Sequence, residues 1–365
     1  MPWSIPSWQD YVTKQKKAPA PIPKHLQALP DDLLVWRFPR WKWRFLRRCF
    51  PGKRLHFVEQ EKSLSGPAAL LLWGSSPVPD LRVPLPVLRM EDGFLRSVGL
   101  GAELTRPLSW VLDSRGMYYD ARSPSDLEWL LADGEFSPED CARAQRLREE
   151  ILRHGISKYN VGAKSWQRPS QAQRVILVPG QVESDAALAH GSPCLRSNLE
   201  LLRQVRAANP QALLIYKPHP DVVARLRALG QGEAQAREYC DVWLDDVPME
   251  RLLQQVDEVH TLTSLTGFEA LLRGKSVHCY GQPFYSGWGL TVDHCPLARR
   301  TRRRSLDELV AAALIHYPLY FGPRGLITAE DAVALLVHWK ERSQGRKPWW
   351  QEPYRAILRR VIGVR

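Results

Sequence analysis

A chain of 365 residues with 44% hydrophobic and 25% charged residues has the make-up of a folded protein large enough for two domains. Its net charge of +12 is concentrated in three segments, 36–54, 299–304 and 340–365, which leaves the remainder mildly acidic and argues against a nucleic-acid binder. The longest apolar run, Pro67–Trp73, falls far short of the ~20 residues that span a bilayer, and no apolar region follows Met1, so a cytoplasmic chain without a signal peptide is expected.

Residues 1–53 read as a basic, Trp-rich extension without clear period, ending in a short basic helix. Within it, Trp36, Trp41, Trp43 and Phe45 alternate with arginines, a pattern that suits an anionic membrane surface. From Arg54 the rhythm becomes strand, loop, helix. Short apolar runs bounded by Gly, Pro, Asp or Ser predict strands at Leu55–Val58, Ala69–Trp73, Val87–Met90 and Trp110–Leu112. Helices are expected near Ser125–Leu131 and Pro138–His154, and the polar passage Ser165–Gln173 reads as a linker. A second alternating half follows, with strands at Arg174–Val178, Leu213–Tyr216, Val242–Leu244, Glu258–Thr261 and Ser276–Tyr280. Its helices are expected at Ser197–Ala208, Val222–Leu229, Met249–Val256, Gly267–Arg273, Ser305–His316 and Ala329–Glu341. In the tail, Tyr354, Ile357, Leu358, Val361 and Ile362 form an apolar stripe after Pro353, with Arg355, Arg359 and Arg360 off it, as in a surface-seeking basic helix. Alternating strands and helices indicate an α/β protein with parallel sheets in two Rossmann-like halves. The expected division is 1–53, 54–164, 165–328 and 329–365. Six scattered cysteines without a CxxC pair predict reduced, mostly buried thiols.

No GxGxxG after a strand, GxxxxGK[ST], GxSxG or HExxH occurs. Polar residues at predicted strand ends remain. Lys217-Pro218-His219-Pro220 holds a cation and an imidazole in a stiff turn, which fits a phosphate, although a plain rigid loop would read the same. Thr263–Glu269 (TSLTGFE) opens a helix with small hydroxyl residues and Gly267. Alone that is an ordinary N-cap; paired with the KPHP turn it becomes a nucleotide-phosphate site. After the strand ending at Val178, Gln181, Glu183 and Asp185 alternate, and an acid there suits a nucleophile or base. Arg89–Ser97 places Glu91 and Asp92 between Arg89 and Arg96 at another strand end, either a structural ion pair or the second carboxylate that glycosyl chemistry uses.

Taken together, RMEDGFLRSVGLG (89–101), DSRGMYYDARSPSDLEWLL (113–131), SKYNVG (157–162), VPGQVESD (178–185), YKPHPDV (216–222), TLTSLTGFEALLRGK (261–275) and YGQPFYSGWGLT (280–291) resemble the bacterial capsule β-Kdo glycosyltransferases of the KpsC/LipA type. The likeness runs in matching order from about Leu70 to Arg324. It implies a GT-B-like architecture of two Rossmann-like domains facing a cleft, with the acceptor on the N-terminal side and the CMP-sugar on the C-terminal side. It further implies CMP-Kdo as donor, retention of configuration, and a glycolipid or oligosaccharide acceptor at the inner face of the bacterial inner membrane. By that resemblance Asp185 is the nucleophile and Glu91 the general acid/base, with Asp92 as rival or orienter. Lys217, His219, Pro220, Ser264, Thr266, Gly267 and Glu269 hold the nucleotide, and Arg89, Arg96, Lys158 and Gln181 the sugar. No metal and no cofactor beyond the donor is expected. The family's capsule enzymes carry two such modules in tandem; each motif stands here once, so a single linkage, alone or beside other capsule transferases, is the expectation. Another CMP-activated acidic sugar, or a non-catalytic assembly or export role, are the alternatives.

Overall fold

A computed structural model describes residues 20, 24–59, 68–81, 84–99, 105–225, 227–322 and 325–343; the tail helix expected over 353–365 lies outside them. Thirteen strands are described: β1 (Asp32–Trp36), β2 (Arg54–Val58), β3 (Ala69–Trp73), β4 (Val87–Asp92), β5 (Ser109–Asp113), β6 (Val175–Pro179), β7 (Leu213–Lys217), β8 (Val242–Trp243), β9 (Glu258–Thr261), β10 (Ser276–Cys279), β11 (Val292–Asp293), β12 (Pro318–Gly322) and β13 (Gly325–Ile327). The helices that matter below are α1 (Trp43–Cys49), α2 (Asp126–Asp133), α3 (Pro138–Arg153), α4 (Ala186–Gly191), α5 (Asn198–Ala208), α6 (Pro220–Val223), α7 (Met249–Gln255), α8 (Leu265–Leu272) and α9 (Ala329–Ser343).

Both sheets form because short aliphatic runs are buried on both faces: ALLL of β3 and VILVP of β6 are nearly solvent-free. The second sheet is parallel throughout, in the order β11–β10–β9–β6–β7–β8. From β6 the chain builds outward to β8, then crosses back to β9 and builds the other way. Loops leaving β6 and β9 therefore diverge, opening a crevice at their carboxyl ends.

The first sheet departs from expectation in three ways. Its order is β13–β12–β5–β4–β3–β1–β2, and β5 and β12 run antiparallel to their neighbours, so the sheet is mixed rather than parallel. Strand β1 lies between β2 and β3, inside what reads as an irregular extension, and α1 packs over the same core through Phe45 and Leu46. A fully buried LLVW run has no alternation to reveal it. Strands β12 and β13 return from beyond the second sheet to close the first one, so a boundary at 328/329 cuts through elements that belong with β5.

A charge run finds its partners and a cysteine reading changes. RRTRRR (299–304) is largely tied to α2. Arg299 and Arg300 both pair with Glu128 of α2, while Arg304 and Arg302 donate to the carbonyls of Leu131, Gly134 and Ala132 at the end of that helix. Cations there complement the helix dipole, and the run becomes a clasp between the halves. Cys194 and Cys295, 101 residues apart, form a disulfide in place of the expected thiols, because the segments after α4 and β11 bring their Cα atoms to 6.4 Å. No helix among the described residues is long and apolar enough to cross a membrane.

Candidate active site

A cleft of about 1270 Å³ lies where the carboxyl ends of β4, β6, β7 and β9 face one another. Glu91 and Asp92 close β4 on one wall, and their environments set them apart. Burial, then the adjacent Asp92, push Glu91 up to about 7, against the opposing pull of Lys42 and Lys158. Burial also acts on Asp92, but Arg96, Lys42 and Lys158 outweigh it and hold Asp92 below its ordinary value. Arg96 Nε donates to Asp92 Oδ2 at 2.5 Å and Trp110 Nε1 to Oδ1 at 3.2 Å, so both oxygens are engaged. One carboxyl can thus exchange a proton near neutrality while its neighbour stays charged and fixed.

Asp185 stands on the opposite wall, at the head of α4, where its side chain makes no capping bond and remains exposed to the cleft. Between the walls are Tyr118 and Tyr119. Burial and then Glu91 raise both phenols, and Asp185 adds to each. Glu91 Oε2 and the Tyr119 hydroxyl also converge on Gly74 (φ +55°), where a β-carbon would lie 3.0 and 3.1 Å from them. Both acids and both tyrosines thus line the same cleft.

On the nucleotide side, Pro220 starts α6, and His219 caps it by accepting the Asp221 N–H at Nδ1 (3.1 Å). That bond leaves the ring proton on Nε2. Burial first, then Lys158, Arg227 and Lys217, lower His219 to about 3, so the ring is a neutral donor throughout the working range. Lys217, depressed by burial, lies alongside with Nζ 3.4 Å from the Asp245 carbonyl. Ser264 caps α8 by accepting the Thr266 N–H, and Ser264, Thr266 and Glu269 line the same cleft.

Several expected ligands do other work. Arg89 is not among the cleft's lining residues; it donates to the carbonyls of Gly74 and Ser76, holding the loop after β3. Gly267 is also off the lining, and glycine is required there because a β-carbon would sit 2.2 Å from the Tyr285 hydroxyl. Arg96 is committed to Asp92 and to Ser97. Gln181 clasps both the N–H and the hydroxyl of Thr263, tying the β6 loop to the β9 loop. Glu269 accepts the Lys158 N–H at 2.8 Å, and burial raises its carboxyl. Lys158 itself lines the cleft with its cation close to Asp92 and Glu91.

Sequence reasoning missed Lys42, Tyr118, Tyr119 and Asn160. Burial lowers Lys42 to about 8, with Asp92 and Glu91 opposing, and its ammonium lies over the Trp73 ring. The signal is lost because Lys42 sits in a run of surface arginines. Asn160 (φ +51°) accepts the Ser157 N–H and donates to Ser97, which stitches SKYN to the loop after β4.

Residues 82–321 match the family described as capsule polysaccharide biosynthesis protein. The capsule polysaccharide modification protein LipA of Neisseria meningitidis serogroup B is 46% identical over 334 residues, 88% of this chain and 47% of LipA. This chain thus spans about half the length of that relative. Among solved structures, the β-Kdo 2,7 transferase of Thermosulfurimonas dismutans KpsC is 40% identical with a TM-score of 0.70, covering 85% of this chain and 99% of that one. The β-Kdo 2,4 transferase of the same KpsC is 34% identical, with a TM-score of 0.71, over 83% and 97%. With these motifs on shared strand ends and relatives of this closeness, the chain belongs to the capsule polysaccharide biosynthesis family of KpsC and LipA.

Proposed function

We propose that this protein is a retaining β-Kdo glycosyltransferase of GT-B-like architecture that uses CMP-Kdo. The observation that carries the reading is the meeting in one cleft of two carboxylates, Glu91 and Asp185, with a neutral His219 and the start of α8. Asp185 attacks the anomeric carbon, and CMP leaves with the bonding electrons. The His219 Nε2–H and the positive end of the α8 dipole stabilise the departing phosphate. Glu91, titrating near neutrality, then takes the acceptor hydroxyl's proton as that oxygen displaces Asp185, and two inversions give retention. Asp92, pinned by Arg96 and Trp110, orients the group beside it.

A glycolipid or glycan acceptor entering past the first sheet fits the disposition of 36–48. Trp41 and Lys42 line the cleft, whereas Arg37, Arg40, Arg44 and Arg47 are exposed and suit an anionic membrane surface at the cytoplasmic face of the inner membrane.

Intact-protein mass spectrometry after mixing with CMP-Kdo generated in situ, without acceptor, tests the chemistry. A single Kdo adduct is expected on wild type and none on Asp185→Ala, while both still bind CMP. An equal adduct on the variant, or wild-type transfer by it, would remove Asp185 as nucleophile.

A further inference from the structure

The second sheet carries a histidine cluster that the cleft does not use. Register places His278 of β10 opposite His260 of β9, with Glu258 two residues before His260 on the same face. None of the three lines the cleft. Glu258 Oε2 lies 3.0 Å from His260 Nε2 and 3.7 Å from His278 Nε2, and the three ligand atoms all fall within 4.8 Å of one another. Ligands ~2.0–2.1 Å from a tetrahedral zinc ion stand roughly 3.3 Å apart. The two measured separations bracket that spacing. The imidazoles stack nearly parallel with centroids 4.1 Å apart, and both Nε2 atoms face the same Glu258 oxygen.

The atoms behind these ligands are already held. His278 Nδ1 is 3.1 Å from His294 Nε2, His260 Nδ1 is 3.3 Å from the Tyr280 hydroxyl, and Arg174 Nε donates to Glu258 Oε1 at 2.7 Å. Without metal, His260 Nε2–H donates to Glu258 Oε2, since a carboxylate only accepts; an ion would displace that proton, and the Tyr280 hydroxyl and His294 can then accept from the Nδ1–H groups and orient both rings, as outer partners do in zinc proteins. Arg174 Nη2 also bonds Glu258 Oε2 at 2.7 Å, so that oxygen would share its lone pairs and bind more weakly than a free carboxylate.

We propose that Glu258, His260 and His278 form a binding site for a divalent transition-metal ion of the zinc class, bridging β9 and β10 of the second sheet. The imidazole and carboxylate donor set suits such an ion. Its effect would be to clamp β9 to β10 behind the loop that starts α8, a structural rather than a chemical role.

Tag-free full-length protein, stripped with a chelator, is titrated with Zn²⁺ alone by calorimetry and followed by thermal melts with and without Zn²⁺. One equivalent is expected, with affinity falling at least about tenfold in His278→Ala and in His260→Gln, and the melting shift lost with it. Co²⁺ should give the visible absorption of a tetrahedral ion in wild type and not in His278→Ala. His278 is at the margin of the cluster, so its variant decides the matter should His260→Gln not fold. No saturable uptake, or uptake unchanged in the folded variants, would overturn the site.

Discussion

Glu91 and Asp92 are neighbours in sequence with opposite electrostatic fates, and that contrast is testable by pH. A Glu91 carboxyl raised to about 7 favours the folded state while protonated and loses that advantage as pH climbs from its ordinary value of 4.5 through 7. Glu91→Gln cannot ionise. Its stability relative to wild type should therefore grow over that window and level off above it, by roughly 1–2 kcal/mol once solvent screening is allowed for. Denaturant unfolding of both proteins at pH 5 and pH 8 checks this, and an unchanged gap would mean that Glu91 titrates normally. The same variant should lose about 10²–10⁴ in transfer rate, and with it the rise in rate through pH 7 that a general base titrating there is expected to give wild type. His219 predicts the reverse. Being neutral from about pH 3 upward, it adds no pH dependence of its own, so the loss of about tenfold in CMP affinity that His219→Ala suffers through the lost donor should be the same at pH 5 and pH 8, read by calorimetry with CMP.

At the scale of elements, the clasp between α2 and the 299–304 run is the feature most exposed to mutation. Arg300 and Glu128 are both nearly buried, with side-chain exposures of 2% and 8%, and their contact is at 2.9 Å. Removing one partner strands the other charge. Glu128→Ala should cost about 3–5 kcal/mol by chemical denaturation, whereas Glu135→Ala, exposed just beyond the same helix, should cost under about 0.5 kcal/mol. Equal effects would show that the clasp is only a surface ion pair. Most of these elements can be read in the sequence: caps such as Ser137 with Asp140 and Ser197 with Glu200 mark helix starts plainly, and α3 and α5 lie where their spacing predicts. The helix predicted over Val222–Leu229 is instead the four-residue α6, because His219 and Pro220 start the turn earlier and Arg225 (φ +56°) ends it.

For the whole molecule, strand ends were legible and partnerships were not. Short apolar runs with polar residues after them locate KPHP, TSLTGFE and the Asp185 loop, since a parallel sheet delivers such residues to one edge. The same reading cannot tell that Gln181 is occupied by Thr263, 82 residues away, whereas an ion pair such as that of Arg96 with Asp92, four residues apart, is among the alternatives it leaves open. Nor does it find Lys42, whose burial depends on β1 entering the sheet between β2 and β3.

The return of β12 to the first sheet has a mechanical corollary. The backbone leaves that sheet once, before β6, and comes back once, after the arginine clasp, so the second sheet is an insertion enclosed between two chain crossings. One apolar core, running from Phe94 and Leu108 to Val259 and Phe268, fills the seam, so the two parts meet as packed neighbours and not as beads on a string. Glu91 belongs to the frame and Asp185 to what it encloses, which leaves the distance between the two acids set by that seam.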